Sequence, residues 1–228
     1  MDWTALSNQL CDTVSIFDIG CGKGHYGFLF KELLNKNINY SGLDIYKNEK
    51  FPDEFNHIID RAENAHNHLK NHNLIVSQSA LEHIEGDMDV LTNITQVLCD
   101  RGKPFVQIHL VPASASLYLY LWHGFRQYSE KNLGLISERL TSSYEVKVTI
   151  IPLGGWRSFI THFTQITLPY LYSMILGKEF INLSDVAETK TSKKCRSSVF
   201  SDSISSSRLP TFWGLVISSE DVDINAFL

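Results

Sequence analysis

A chain of 228 residues, about two fifths of them apolar, is long enough to bury one full core or one core with a sizeable insertion. Its net charge of −5 argues against a duplex-DNA binder, which normally shows a basic stripe, so no duplex nucleic acid is expected as a partner. Cys11, Cys21, Cys99 and Cys195 form no CxxC pair, and the N-terminus has neither a basic segment nor an apolar run after it, which points to reduced thiols and a cytoplasmic protein. No stretch reaches the roughly 18–20 apolar residues of a membrane span.

In chain order, Val14 to Ile19 reads as the first strand, running straight into a glycine-rich turn. Tyr26 to Asn35 follows as a helix, with Phe28, Leu29, Leu33 and Leu34 at helical spacing. Asn39 to Ile45 and Phe55 to Ile59 are predicted strands, Ala62 to His72 a helix and Leu74 to Gln78 the fourth strand. Asp89 to Leu98 is a helix, Pro104 to Leu110 a strand, Tyr128 to Thr141 a helix and Tyr144 to Ile151 a sixth strand. This alternation predicts an α/β domain with a largely parallel sheet. After it come an aromatic, apolar stretch from Ser158 to Leu176 and a Ser-, Lys- and Thr-rich loop from Ser184 to Ser207. Thr211 to Ser218 returns as a strand. We expect one domain over 1–228, with 153–209 an insertion or cap and the last two strands antiparallel.

The most informative residues are Asp18–Ile19–Gly20–Cys21–Gly22–Lys23–Gly24. Glycines here let the backbone approach a ligand, and the helix that follows offers free N–H groups to an anion. Gly22, Gly24 and Gly27 also fit the dinucleotide pattern GxGxxG. In that pattern, however, the first glycine follows the apolar strand at once, whereas here the strand ends in Asp18 and Gly20 intervenes. An acidic strand end suits a ligand with an ammonium group better than one with a pyrophosphate. This points to the methionine end of S-adenosylmethionine, whose carboxylate can use the backbone N–H groups. Asp44, about 20 residues on at the end of the second strand, is placed to accept ribose hydroxyls. Asp60 and Arg61, after the third strand, are placed to border an adenine.

The fourth strand leads into Ser77–Gln78–Ser79–Ala80–Leu81–Glu82–His83–Ile84. With DIGCGKG and Asp44, this segment resembles the class I S-adenosylmethionine-dependent methyltransferase family over roughly residues 14–151 plus the terminal strand. The resemblance implies a Rossmann-like, doubly wound seven-stranded sheet, order 3-2-1-4-5-7-6, with the last strand antiparallel and an insertion before it. It implies S-adenosylmethionine as cofactor, held by Asp18, Gly20, Gly22, Gly24 and Asp44, with Gln78 and Ser79 lining the pocket where the methyl is presented. The stretch HLVPASASLYLYLWHGFRQYS is similar to methyltransferases of bacterial cell-surface polysaccharide pathways, which suggests a small-molecule or glycan acceptor methylated on oxygen.

For general base work the sequence offers His83 and His109, near the ends of strands four and five. His123, Arg126 and Tyr128 are the acceptor-binding candidates. With little room before the first strand, residues 111–128 and 153–209 are expected to cover the acceptor. His66, His68 and His72 read as a solvated helix face, and no metal is expected. Ser158–Leu176 is expected to pack as a cap, with peripheral membrane contact as the second reading; nothing in the sequence speaks to oligomeric state. An NAD(P)-dependent oxidoreductase is the first rival, although no Tyr-x-x-x-Lys pair accompanies the glycines. A nucleic-acid or protein methyltransferase would favour an Asn/Asp-Pro-Pro-Tyr type segment where SQSALEHI stands. A non-catalytic binding protein on the same fold is the third.

Overall fold

The computed structural model describes residues 1–10, 13–34, 37–114, 125–176, 194, 197–198, 201–202 and 210–228. Its elements are α1 (Trp3–Gln9), β1 (Val14–Ile19), α2 (His25–Leu34), β2 (Ile38–Asp44), β3 (Asn56–Ile59), β4 (Leu74–Gln78), α3 (Asp87–Cys99), β5 (Val106–Pro112), α4 (Glu130–Ser143), β6 (Val146–Leu153), α5 (Trp156–His162), α6 (Leu168–Leu176) and β7 (Phe212–Ser219). The strands form one seven-stranded sheet in the order β3-β2-β1-β4-β5-β7-β6.

Pairing from β3 through β5 is parallel, with Asp18 opposite Gly42 on one side and Val76 on the other. β7 runs antiparallel to β5. The Ser219 N–H donates to Phe105 O at 3.2 Å at one end, and the Ala113 N–H donates to Thr211 O at 3.0 Å at the other. Thr211 in turn donates to Leu153 O at 3.0 Å, which sets the antiparallel match of β7 to β6. The expected α/β fold, strand order and antiparallel last strand are therefore all present.

The central strands are buried on both faces, as runs such as VSIFDI and LIVSQ require of a parallel sheet covered by helices. α3 places Val90, Leu91, Ile94 and Leu98 in the core at i, i+1, i+4, i+8 spacing, with Asp87 and Asp89 in its first turn. α4 buries Leu133, Ile136 and Leu140 in the same manner.

The structure departs from the sequence reading in three places. α1 was not expected; Asp2 caps it by accepting from the N–H groups of Thr4 and Ala5, and Trp3 packs edge-on against Phe30. The predicted helix at Ala62–His72 is a 3-10 segment ending at His68. Its last residue does not face solvent either: His72 is buried, its ring bonded to Leu69 O and, at 3.0 Å, to Ser41 Oγ. Pro169 is the second residue of α6. A π-helical segment, Phe163–Thr167, immediately precedes α6 and absorbs the backbone bond that a proline cannot make.

The chain divides into two compact units, Met1–Val111 with Glu130–Ile150 and Gly214–Leu228, and Pro112–Ser129 with Ile151–Trp213. The first holds most of the sheet and α1 to α4. The second holds α5 and α6, and within it Asp202 accepts from the Ser158 N–H at 2.7 Å. Most of the loop expected at Ser184–Ser207 lies outside the described residues. No helix among the described residues is long and apolar enough to cross a membrane.

Candidate cofactor site at the strand ends

The sheet order reverses at β1, and there the parallel strands present their carboxyl ends, the position where open α/β sheets bind ligands. β1 delivers Asp18, 3 % exposed, to this edge. One carboxylate oxygen accepts a hydrogen bond from the Tyr40 hydroxyl. Burial pushes the Asp18 pKa up to about 7 and the Asp44 charge adds to this, while the Tyr40 bond partly offsets them. A buried carboxyl poised near neutrality gains most from a cation placed beside it.

The turn after β1 is built of left-handed glycines. Gly20 has φ +75°, and a Cβ there would lie 2.6 Å from the Ala80 Cβ. No other residue fits this position, because both the backbone angle and the packing forbid a side chain. Gly22 has φ +53° with open space around it. Its N–H donates to Asp44 Oδ2 at 2.9 Å. Gly24 is also left-handed, but the Phe51 ring covers it. Of the three predicted glycines, then, Gly22 is the one where an added Cβ would meet nothing, while Gly20 and Gly24 are closed over by Ala80 and Phe51.

Asp44 ends β2 and its other oxygen accepts from the Tyr46 N–H at 3.2 Å. Two N–H donors leave lone pairs on the carboxylate for further hydroxyl donors. Gln78 ends β4 in an exposed position and bonds the Tyr26 hydroxyl. Ser79 has φ +48°, a left-handed conformation in a residue with a side chain, and its N–H donates to Leu110 O at 2.9 Å. Such backbone conformations persist only where the surroundings impose them, and they cluster at ligand sites. Asp18, Gly20, Gly22, Asp44, Gln78 and Ser79 therefore come from the carboxyl ends of three adjacent strands.

Asp60 and Arg61 sit at the end of β3, with Asp60 N–H donating to Asp44 O at 3.1 Å. The Asp60 carboxylate is committed to its own segment. It accepts from the Arg61 N–H at 2.7 Å and from Asn64 at 2.9 Å, and it pairs with His68 at 2.7 Å. These bonds, Asn64 and His68 foremost, hold its pKa down near about 2. Arg61 is exposed and pairs with Glu63. Among the described residues no group of three His, Cys, Asp or Glu side chains is arranged to hold a metal.

The two histidines proposed as bases fare differently. His109 has no exposed surface and belongs to a buried chain of hydrogen bonds. Gln107 donates to Thr95 Oγ1 at 2.9 Å, so its carbonyl accepts from His109 Nε2–H, and Nδ1 accepts from the Ser77 hydroxyl at 2.8 Å. Burial lowers its pKa to about 3. With both nitrogens engaged and no access from outside, His109 cannot take a proton from an acceptor; it cross-links β4, β5 and α3. His83 lies exposed on the short 3-10 turn Leu81–His83 after β4.

The acceptor-binding candidates divide as well. Arg126 is exposed, but Tyr128 is 2 % exposed. The backbone of Tyr128 is tied to Pro112 and Ser114, and its carbonyl accepts from Trp213 Nε1 at 3.1 Å. His123 lies outside the described residues.

Three residues were missed from sequence. Tyr40 holds Asp18 and shares a strand face with Gly42 and Asp44, a signal visible only once β2 is aligned with β1. Ala80 closes on Gly20. Glu82 is 1 % exposed, its Oε2 has no hydrogen-bond partner among the described residues, and burial raises its pKa to about 7. Charged residues are almost never buried without a partner, so nothing in the pattern SALEHI marks this one. Cys21, packed against Gly42, is the thiol nearest the turn; burial and the neighbouring Asp18 and Asp44 push its pKa up, so it stays protonated.

No protein-family model and no curated protein sequence matches the chain. Solved structures do. The fold matches a SAM-dependent methyltransferase from Archaeoglobus fulgidus at TM-score 0.54 and 18 % identity, covering 94 % of this chain and 90 % of that one. It matches the plantazolicin methyltransferase BpumL in complex with SAH at TM-score 0.58 and 13 % identity, covering 96 % and 81 %. A third match is the methyltransferase domain of bacterial CtHen1, at 0.52 and 11 %, covering 95 % and 93 %. The chain has the fold of the S-adenosylmethionine-dependent methyltransferases. At these identities the likeness is one of fold.

Proposed function

We propose that the protein transfers a methyl group from S-adenosylmethionine to an oxygen of a small-molecule or glycan acceptor. The observation that carries this reading is the pair of carboxylates flanking the glycine turn. Asp18 is buried and its pKa is pushed up, so an ammonium group beside it would draw the carboxyl to its ionised form and pair with it away from water. Asp44, steadied by the Gly22 N–H, keeps lone pairs for ribose hydroxyls, and the open face of Gly22 leaves room for the ligand to approach. A dinucleotide, with its pyrophosphate, would instead have to sit against these acids. The fold of the solved relatives agrees with the first ligand, and BpumL is seen with SAH.

When bound, S-adenosylmethionine supplies a methyl on a positively charged sulfur, which is already strongly electrophilic. The chain then has mainly to hold the acceptor in line, since orientation supplies most of the rate in such transfers. Ser79, fixed in its left-handed turn, and Gln78 border the place of reaction in this reading. His83 is the histidine left to accept the hydroxyl proton, while Arg126 remains a candidate for binding the acceptor. Asp60, saturated by its own segment, would border the adenine through its backbone rather than its carboxylate. The polysaccharide-type acceptor rests on the segment from His109 to Ser129.

Calorimetric titration with S-adenosylmethionine, S-adenosylhomocysteine and NADH tests the reading, in the native protein and in Asp44→Ala. Binding of the two sulfur ligands is expected, weakened on the order of tenfold or more by the substitution, as for loss of a charged hydrogen-bond acceptor. NADH should not bind. Binding of NADH alone would make the protein a nicotinamide-dependent oxidoreductase, and silence from all three would leave a non-catalytic protein on this fold.

A further inference from the structure

A cavity of about 520 Å³ opens at the opposite edge of the sheet from the glycine turn. It is lined by the residues that lead into the strands: Thr13 before β1, Asn39 in β2, the turn from Lys70 before β4 and Lys103 to Phe105 before β5. A second cavity of about 370 Å³ shares Lys70 and its neighbours. The first cavity is lined by Lys70, Arg101 and Lys103, and no Asp or Glu is among its described lining residues. In a chain of net charge −5 this is a local reversal of sign.

The cations are available. The Arg101 guanidinium donates through Nη1 to His72 O at 3.0 Å, which fixes its plane and leaves its other N–H groups. Neither Lys70 nor Lys103 has a carboxylate partner among the described residues, and both side chains are exposed. His72 does not compete for a ligand, because both its nitrogens are engaged within the fold. Lys70 itself sits at φ +44°. A long side chain in the left-handed region is uncommon, and the surrounding structure must impose it. Here that conformation sets the direction in which a lysine leaves the chain.

We propose that this cavity binds a small phosphorylated molecule, with its phosphate against Lys70, Arg101 and Lys103. A fixed guanidinium with two flanking ammonium groups matches the several oxygens and double charge of a phosphate better than a lone carboxylate. The volume lies in the range of small-ligand sites and admits a body of nucleotide size against Leu98 and Phe105. The acidic chain as a whole would repel a long polyanion, so the ligand is a small one. The site is separate from the carboxyl edge of the strands and does not depend on what binds there.

The test is titration of the full chain with pyrophosphate, inorganic phosphate and adenosine monophosphate, with sulfate as control, in the presence of saturating S-adenosylhomocysteine. Pyrophosphate is expected to bind, and the double variant Lys70→Glu/Lys103→Glu to weaken it at least about tenfold, the scale of losing charge-assisted hydrogen bonds. Tighter binding of adenosine monophosphate than of either inorganic ion would make the ligand a nucleotide; the reverse would make it an inorganic or simpler phosphate. Sulfate binding as tight as pyrophosphate, binding unchanged by the charge reversal, or no phosphate binding at all would overturn the proposal. Should the charge-reversed chain fold poorly, Lys70→Gln/Lys103→Gln carries the same test. Should S-adenosylhomocysteine fail to bind, the outcome of the lysine variants still decides this site by itself.

Discussion

The two edges of the sheet carry opposite charge and handle it differently. At the carboxyl edge lie Asp18, Asp44 and Glu82, and two of these are buried and pushed toward neutrality. At the amino edge lie Lys70, Arg101 and Lys103, exposed or half-buried. Helix starts gather at the first edge and helix ends at the second, so the helix dipoles favour acids at one and bases at the other. Electrostatics alone thus accounts for the sign at each edge. It does not account for the burial of the acids, which costs stability, nor for the left-handed backbone that each edge carries in a residue with a side chain, Ser79 and Lys70. Those are the features that mark sites rather than helix ends.

The largest difference between the edges should appear when a methyl group is added to a left-handed glycine. Gly20→Ala at the carboxyl edge meets both an unfavourable φ and the Ala80 Cβ at 2.6 Å. The expected loss is about 3 kcal/mol, from backbone strain plus overpacking. Gly102→Ala at the amino edge has φ +58° and open space, so about 1 kcal/mol of backbone strain is all that should be lost. Urea unfolding of the two variants measures the gap. Equal losses would show that the contact between the glycine turn and Ala80 is looser than the structure has it.

A second difference is visible in pH. Glu82 has a folded pKa of about 7, above its ordinary value of 4.5. Between these values the folded chain holds a proton that the unfolded chain has released, so stability falls as pH rises. The loss begins near pH 4.5 and is complete above pH 7. Glu82→Gln removes the titration and should be more stable than the native chain by about 2 kcal/mol at pH 8, and near equal to it at pH 5. Asp18 titrates in the same direction in both proteins, so the difference between the two stability curves isolates Glu82. Parallel curves from pH 5 to 8 would mean that a partner or water satisfies the carboxylate.

Much of the carboxyl edge was legible in the sequence, because its chemistry and its backbone use the same residues. Asp18, the glycines and Asp44 announce a strand, a turn and a ligand together, and β1 and β4 fall on their expected bounds. What could not be read depended on pairing between distant segments. His109 looked like a base at a strand end, but it is buried between its partners Ser77 and Gln107, and Gln107 is itself held by Thr95 of α3. Tyr128 reads as a ligand of the acceptor, but it is almost fully buried, and its backbone bonds Pro112, Ser114 and Trp213. Nothing in the segment SALEHI signals that Glu82 is buried. The amino edge was invisible for a different reason: Lys70, Arg101 and Lys103 are ordinary loop cations, and only the sheet gathers them.

The smallest expected effect sharpens the comparison most. Ser79→Gly and Lys70→Gly each relieve a left-handed backbone but add the conformational freedom of glycine to the unfolded chain. The two terms nearly cancel, and a gain of only about 0.5 kcal/mol is expected from either. Ligand binding should separate what stability does not. Ser79→Gly should weaken S-adenosylhomocysteine, because the strand-end turn is no longer fixed, and leave pyrophosphate unaffected. Lys70→Gly should do the opposite. If each substitution raises stability and leaves both ligands unchanged, the left-handed residues are only the cost of making tight turns, and the backbone at neither edge has been shaped around a ligand. If the effects cross over as expected, the two edges are independent sites built on one sheet.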